Sequence, residues 1–129
     1  MKRMLVIDDD ADVREVVATL FEDRGFKVDL LTDGIHALQL TAEYDVILLD
    51  LNMPVFDGER LADYWMLTSP ERLQRTIVLS GYSRFAHGRH LPAFATVRKP
   101  FDINELVRVV EGVGASLFTF STSRGESEK

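Results

Sequence analysis

The chain of 129 residues contains no cysteine. Disulfides, thiol nucleophiles and zinc centres built on thiolates are thereby excluded. Long apolar runs are also missing, and nothing approaches the roughly 20 apolar residues that a membrane helix needs. The basic opening Met1-Lys2-Arg3 leads into Met4-Leu5-Val6-Ile7, but Asp8-Asp9-Asp10 stops that run far short of a secretory signal core. A soluble, cytoplasmic protein without a membrane partner is therefore expected. Positive charge is scarce, with 15 Lys and Arg against 21 Asp and Glu and a formal net charge of -6. Nucleic-acid binding needs a basic face that displaces counterions, so no direct nucleic-acid partner is expected. No internal repeat is visible, and no low-complexity linker precedes Thr119.

What is present is a single domain's worth of core. Apolar residues make up 46% of the chain, enough at this length to bury a core without staples. Short apolar runs alternate with amphipathic stretches. Met4–Ile7 reads as a strand buried on both faces. Val13, Val16, Val17, Leu20 and Phe21 carry helical spacing through Ala11–Arg24, and Gly25 follows as a helix terminator. Phe26–Leu31 reads as a second strand before the turn Thr32-Asp33-Gly34, and Ile35–Leu40 as a short helix. Val46–Leu49 gives the strongest buried-strand signal and closes at Asp50. A loop broken by Pro54 and Gly58 precedes helical Arg60–Leu67, which Ser69-Pro70 interrupts. Ile77–Leu79 is expected as the fourth strand, Phe94–Val97 as the fifth, and Ile103 to Val113 as a last amphipathic helix. The alternation implies an α/β domain over 1–118, a doubly wound five-stranded parallel sheet with helices on both faces. Residues 119–129 read as a polar, flexible tail.

The chemistry-bearing residues gather at strand ends. Asp8, Asp9 and Asp10 end the first strand, Asp50 the third, Ser80 the fourth and Lys99 the fifth. Open parallel sheets bind ligands beyond these ends, where the strand order reverses. With the order 2-1-3-4-5, the first and third strands flank that point and their acids converge. Convergent carboxylates repel unless a cation joins them, and an all-oxygen donor set favours a hard ion such as Mg²⁺. A carboxylate can also attack phosphorus, with a metal, a hydroxyl and a cation stabilising the charge that develops. Capping explains Asp10, but three acids in a row exceed what a cap needs. His87 and His90, three apart, lack a third ligand, and His36 reads as a surface residue at a helix start. Met53 and Phe56 are expected as loop anchors, and Tyr64–Leu67 as helix that is part core and part exposed.

Four pieces in order resemble the receiver domain of two-component response regulators. They are Leu5-Val6-Ile7-Asp8-Asp9-Asp10, Asp50-Leu51-Asn52-Met53-Pro54 with Asp57-Gly58, Leu79-Ser80-Gly81 and Lys99-Pro100-Phe101, within a resemblance that spans residues 3–117. It implies a flavodoxin-like fold of the chemotaxis-regulator type. It also implies that Asp50 accepts a phosphoryl group from a phosphohistidine on a sensor histidine kinase or phosphotransfer protein. Mg²⁺ would be held by Asp9 directly, by Asp8 through water, by Asp50 and by the Asn52 backbone carbonyl. Ser80 and Lys99 would each bind a phosphoryl oxygen, and the Lys99–Pro100 peptide would be cis. Such a domain is not an enzyme toward other substrates; it catalyses only its own phosphorylation and dephosphorylation, and switches contacts with an output partner.

The chain departs from this family at Thr96, three before Lys99, where many receivers carry a switching aromatic. Phe94 and Tyr82 are the candidates to replace it, and the stretch from Ser80 to Lys99 is shorter than usual. Two other readings compete. One is a haloacid-dehalogenase-type phosphatase with Asp8 as nucleophile and Asp10 as general acid. The other is a receiver-like binding module that no longer takes phosphate.

Overall fold

The computed structural model describes residues 2–53, 56–81 and 93–113. Tyr82, His87, His90, the segment 83–92 and the boundary expected at 118 with its tail lie outside the described residues. The apolar runs form β1 (Lys2–Ile7), β2 (Phe26–Leu31), β3 (Val46–Asp50), β4 (Thr76–Ser80) and β5 (Ala95–Arg98). They pair in parallel in the order β2-β1-β3-β4-β5, as expected. The helices are α1 (Ala11–Glu22), α2 (Gly34–Leu38), α3 (Gly58–Thr68), the one-turn α4 (Pro70–Leu73) and α5 (103–113).

Side chains alternate across each strand, so both faces of the sheet must be covered. Leu5, Ile7, Ile47, Leu49 and Val78 point to one face, against Ala37 of α2, Leu61 and Trp65 of α3 and Leu73 of α4. Met4, Val6, Leu48, Ile77 and Leu79 point to the other, against Val17 and Phe21 of α1 and Leu106, Val110 and Val113 of α5. Every residue of β3 and β4 is buried. Each fully buried Leu, Ile or Val contributes about 1.5–3 kcal/mol, so these two strands cannot shift register without exposing a full face.

Several element ends differ from the sequence pattern for local reasons. Helix α1 stops two residues early because Arg24 and Gly25 bond back three residues, to Phe21 and Glu22. Gly25 then takes φ +91°, which suits glycine alone. Helix α3 begins at Gly58 rather than Arg60, because the Asp57 side chain accepts from Arg60 N–H at 2.9 Å and caps it. A Cβ on Gly58 would overlap the Asp50 carbonyl oxygen, so what looked like a loop breaker is a close-approach residue. Strand β5 is displaced by one residue, because Phe94 N–H is taken by the carbonyls of Leu73 and Thr76.

Met53 is buried in the core and Phe56 packs partly against it, as anchors should. Trp65 is fully buried, while Tyr64, Met66 and Leu67 are exposed. No helix among the described residues is long and apolar enough to cross a membrane.

Candidate functional site

Parallel register brings the polar strand ends to one level. Ile7 pairs with Leu49, Asp50 with Leu79 and Ser80 with Arg98, so Asp8, Asp50, Ser80 and Lys99 emerge side by side. Backbone bonds lock that level: Leu51 N–H donates to Leu79 at 3.1 Å, and Lys99 N–H to Ser80 at 2.7 Å. The Lys99–Pro100 peptide is cis, as expected.

Asp8 is fully buried, Asp50 is 3% exposed and Ser80 4% exposed, whereas Asp9 faces solvent. Lys99 Nζ donates to Asp8 Oδ2 at 2.8 Å and lies 3.5 Å from Asp50 Oδ2. Asp50 Oδ1 accepts from Asn52 N–H at 3.0 Å, and Asp8 Oδ1 from Asp10 N–H at 2.9 Å. Asp10 also caps α1, accepting from Asp12 N–H and Val13 N–H. Its capping role is borne out.

Carboxylate oxygens of Asp8, Asp9 and Asp50 lie within 4.8 Å of one another. That spread is close to the roughly 4.2 Å across a Mg²⁺ octahedron, and every donor is oxygen. The residues therefore fit a hard divalent cation. Three carboxylates face one ammonium, and the imbalance shows in Asp50. Burial, with the charge of Asp8 and the nearby Asp9, pushes its carboxyl from 3.8 up to about 7, against the opposing pull of Asn52 N–H and Lys99. Burial works against the charge on Lys99, but Asp8 and Asp50 outweigh it and hold the lysine above its ordinary value.

Two residues at this site escaped the sequence reading. Arg14 of α1 donates from Nη1 to the Asp8 backbone carbonyl at 2.8 Å, a contact between residues six apart that no motif announces. Gly58 lies against the Asp50 and Leu51 backbone, where it looked like punctuation. Asn52 is exposed, with its side-chain nitrogen on the Gly81 side of the site. A cleft of about 510 Å³ opens beside Lys99, between Val13 and Val16 of α1 and Gly81, Pro100 and Phe101.

Thr96 is exposed on β5. Phe94, a candidate for the missing aromatic, belongs to the other face. Its ring packs at Gly112 of α5 and against the core cluster containing Met4 and Val6. Thr96 instead pairs with Val78, whose side chain points to the α3 side. Phe94 is thus core, not a free switch on the Thr96 face. His36 is exposed and pairs with Asp33 at 2.8 Å, away from the acid cluster.

The response regulator receiver domain model matches residues 4–111. Among curated proteins, the chain is 32% identical over 116 residues to the regulatory protein AtoC of Escherichia coli, covering 86% of this chain and 25% of that protein. It is 35% identical over 114 residues to protein Rrf1 of Nitratidesulfovibrio vulgaris, covering 84% of this chain and 80% of that one. A homolog of the transcriptional regulatory protein CpxR, from Haemophilus influenzae, is 31% identical over 115 residues, covering 88% of this chain and half of that protein. The chain thus spans between a quarter and four fifths of the length of these relatives. Among solved structures, response regulator TrrA from Thermotoga maritima, in complex with Mg²⁺-BeF, matches at TM-score 0.78 and 28% identity, over 88% of this chain and 99% of that one. The receiver domain of a Francisella response regulator matches at TM-score 0.76 and 30% identity, over 88% and 96%.

Proposed function

The chain belongs to the response regulator receiver domain family, and from that premise we propose that Asp50 is its phosphoacceptor in a two-component phosphorelay. The observation that carries this reading is the convergence of Asp8, Asp9 and Asp50 within 4.8 Å, with Lys99 Nζ reaching two of them. Asp50 attacks the phosphorus of a partner's phosphohistidine; the oxygen–phosphorus bond forms as the phosphorus–nitrogen bond breaks, and the imidazole leaves. Asp8, Asp9, Asp50 and the Asn52 backbone carbonyl are the groups that would hold Mg²⁺. When bound, the ion supplies the charge neutralisation that transfer of a phosphoryl group requires.

The chain's own groups do the rest. A carboxyl at about 7 is half protonated at neutral pH, so a cation among the three acids favours the nucleophilic form. Lys99 lies between Asp8 and Asp50, beside any oxygens added to Asp50. Ser80, one strand over at the same level, donates its hydroxyl to another phosphoryl oxygen. The apolar cleft beside Lys99 is where a phosphohistidine-bearing segment of a sensor histidine kinase or phosphotransfer protein approaches. The domain acts in the cytoplasm, turns over only its own phosphoryl group and passes the signal to an output partner. The phosphatase reading is less favoured, because Asp10, its general acid, caps α1 through bonds from Asp12 N–H and Val13 N–H.

Intact-mass analysis after treatment with acetyl phosphate and Mg²⁺ tests the reading. One added phosphoryl group is expected, absent from Asp50→Asn and from protein kept in EDTA. A phosphoryl group that persists in Asp50→Asn overturns the assignment. A wild-type chain that takes up neither phosphate nor beryllofluoride favours the phosphate-independent module.

A further inference from the structure

Arg14 is a cation at the acid-bearing loop to which the phosphoryl chemistry assigns no part. Its guanidinium Nη1 donates to the Asp8 carbonyl at 2.8 Å, and its backbone N–H donates to the Asp10 carbonyl at 3.1 Å. The guanidinium thus holds one end of the Asp8–Asp10 tripeptide, and the first backbone bond of α1 holds the other. Two further bonds brace that backbone: Asp8 N–H donates to Leu31 at 3.1 Å, and Asp10 N–H to Asp8 Oδ1 at 2.9 Å.

Between the two anchored carbonyls stands Asp9. Asp8 is fixed by burial and by Lys99, whereas Asp9 is exposed and meets only the carboxylate edge of the site at Asp50 among the described residues. The direction of an exposed carboxylate is set by its backbone, and backbone freedom is what a two-point anchor removes. We propose that Arg14 is a positioning residue that fixes the Asp9 backbone and so holds its carboxylate in register with Asp50 for Mg²⁺. The inference rests on the metal reading given above.

Charge and geometry make opposite forecasts, which renders the role testable. A guanidinium near a cation site opposes Mg²⁺ by Coulomb repulsion, so its removal should tighten binding if charge were all it contributed. As a positioning residue, its removal should weaken binding. Losing a supporting contact behind a metal ligand typically reduces affinity by about tenfold or more.

Metal-free full-length protein is titrated with MgCl₂ by calorimetry as wild type, Arg14→Ala, Arg14→Met and Arg14→Lys. Ala and Met are expected to weaken Mg²⁺ by about tenfold. Lys, which keeps a donor at the end of a similar stem, recovers most of the loss. Met keeps the aliphatic stem, so it decides the matter should Ala not fold. Adding Asp9→Asn supplies the second readout: removal of the Arg14 donor should have no further effect once Asp9 is neutral. Unchanged or tighter Mg²⁺ binding in the Ala or Met variant overturns the proposal. So does an equal loss with and without Asp9→Asn, which assigns Arg14 to the fold at large. A wild-type chain that binds no Mg²⁺ overturns the metal reading and this inference with it, an outcome distinct from binding that ignores Arg14.

Discussion

The metal-free domain should become more stable when Asp50 is neutralised. The Asp50 side chain is 4% exposed and shares its pocket with fully buried Asp8, and among the described residues Lys99 is the cation that bridges the two charges. Its carboxyl is pushed from 3.8 to about 7, so ionising it in the folded protein opposes folding. At full effect that displacement corresponds to ~4 kcal/mol. Water reaching the site from the side of exposed Asp9 screens part of it, and ~2 kcal/mol is the expected penalty. The sign follows from proton counting. Between about pH 4 and about 7 the folded state keeps a proton the unfolded chain has lost, so the penalty is absent below 4, builds as pH rises and is complete above 7. Asp50→Asn is nearly isosteric and keeps an oxygen for Asn52 N–H. Urea unfolding in EDTA at pH 8 should show it ~2 kcal/mol more stable than wild type, with less than half that gap at pH 4. Mg²⁺ should narrow the gap at pH 8 by stabilising wild type. A neutral or destabilising effect at pH 8, or the same gain at both pH values, refutes the account.

Two further substitutions probe the frame around the site. Gly58→Ala forces a methyl group into the Asp50 carbonyl, so it should destabilise by about 1–3 kcal/mol in urea unfolding and slow acetyl-phosphate labelling of Asp50. Normal stability together with normal labelling would contradict that close approach. At the opposite end of the sheet, Tyr44 Oη donates to Asp29 Oδ2 at 2.7 Å; with help from Arg3 it lowers the Asp29 pKa. Tyr44→Phe should cost ~1 kcal/mol at pH 7. Since a depressed carboxyl stabilises above its unfolded pKa and loses that contribution as pH falls through the folded one, the deficit should shrink from about pH 4 downward. A deficit independent of pH would assign Tyr44 to packing alone.

The parts of this molecule legible in the sequence are those written in contiguous patterns. Val46–Leu49 could only be a strand buried on both faces, and β1 with its three acids set the level at which the chemistry sits. Strand order followed because alternation of strands and helices leaves few topologies, and the motif pieces named one of them. What escaped was set by contacts between segments. Helix α3 starts at Gly58 because Asp57 caps it and the Asp50 backbone leaves no room for a side chain. Arg14 meets Asp8 only because the chain turns sharply from strand to helix. Asp29, Tyr44, Arg3 and Asp45 form a polar network that joins β1, β2 and the approach to β3. Its members are 15 to 42 residues apart, and no periodicity records them. Phe94 shows the same limit: proximity to Thr96 in sequence suggested a substitute aromatic, while Phe94 lies just before β5 and packs partly buried at Gly112 of α5.

The same geometry explains why a site this unfavourable persists in a well-packed fold. β3 and β4 are buried along their whole length, so Asp50 and Ser80 cannot retreat from each other without pulling Leu49 or Leu79 out of the core. The strand ends are the one place where the sheet's hydrogen bonding stops and side chains turn toward a shared crevice. Repulsion among Asp8, Asp9 and Asp50 therefore cannot relax by movement of the frame. It can relax by taking up a proton, toward which burial and the charge of Asp8 push Asp50, or by taking up a cation. A divalent ion that satisfies three carboxylates still leaves the Lys99 ammonium beside them, with the Ser80 side chain one strand over at the same level. An incoming phosphoryl oxygen is the kind of acceptor that would use both. The rigidity of two buried strands thus holds the electrostatic strain at their ends, where a proton or a cation can relieve it.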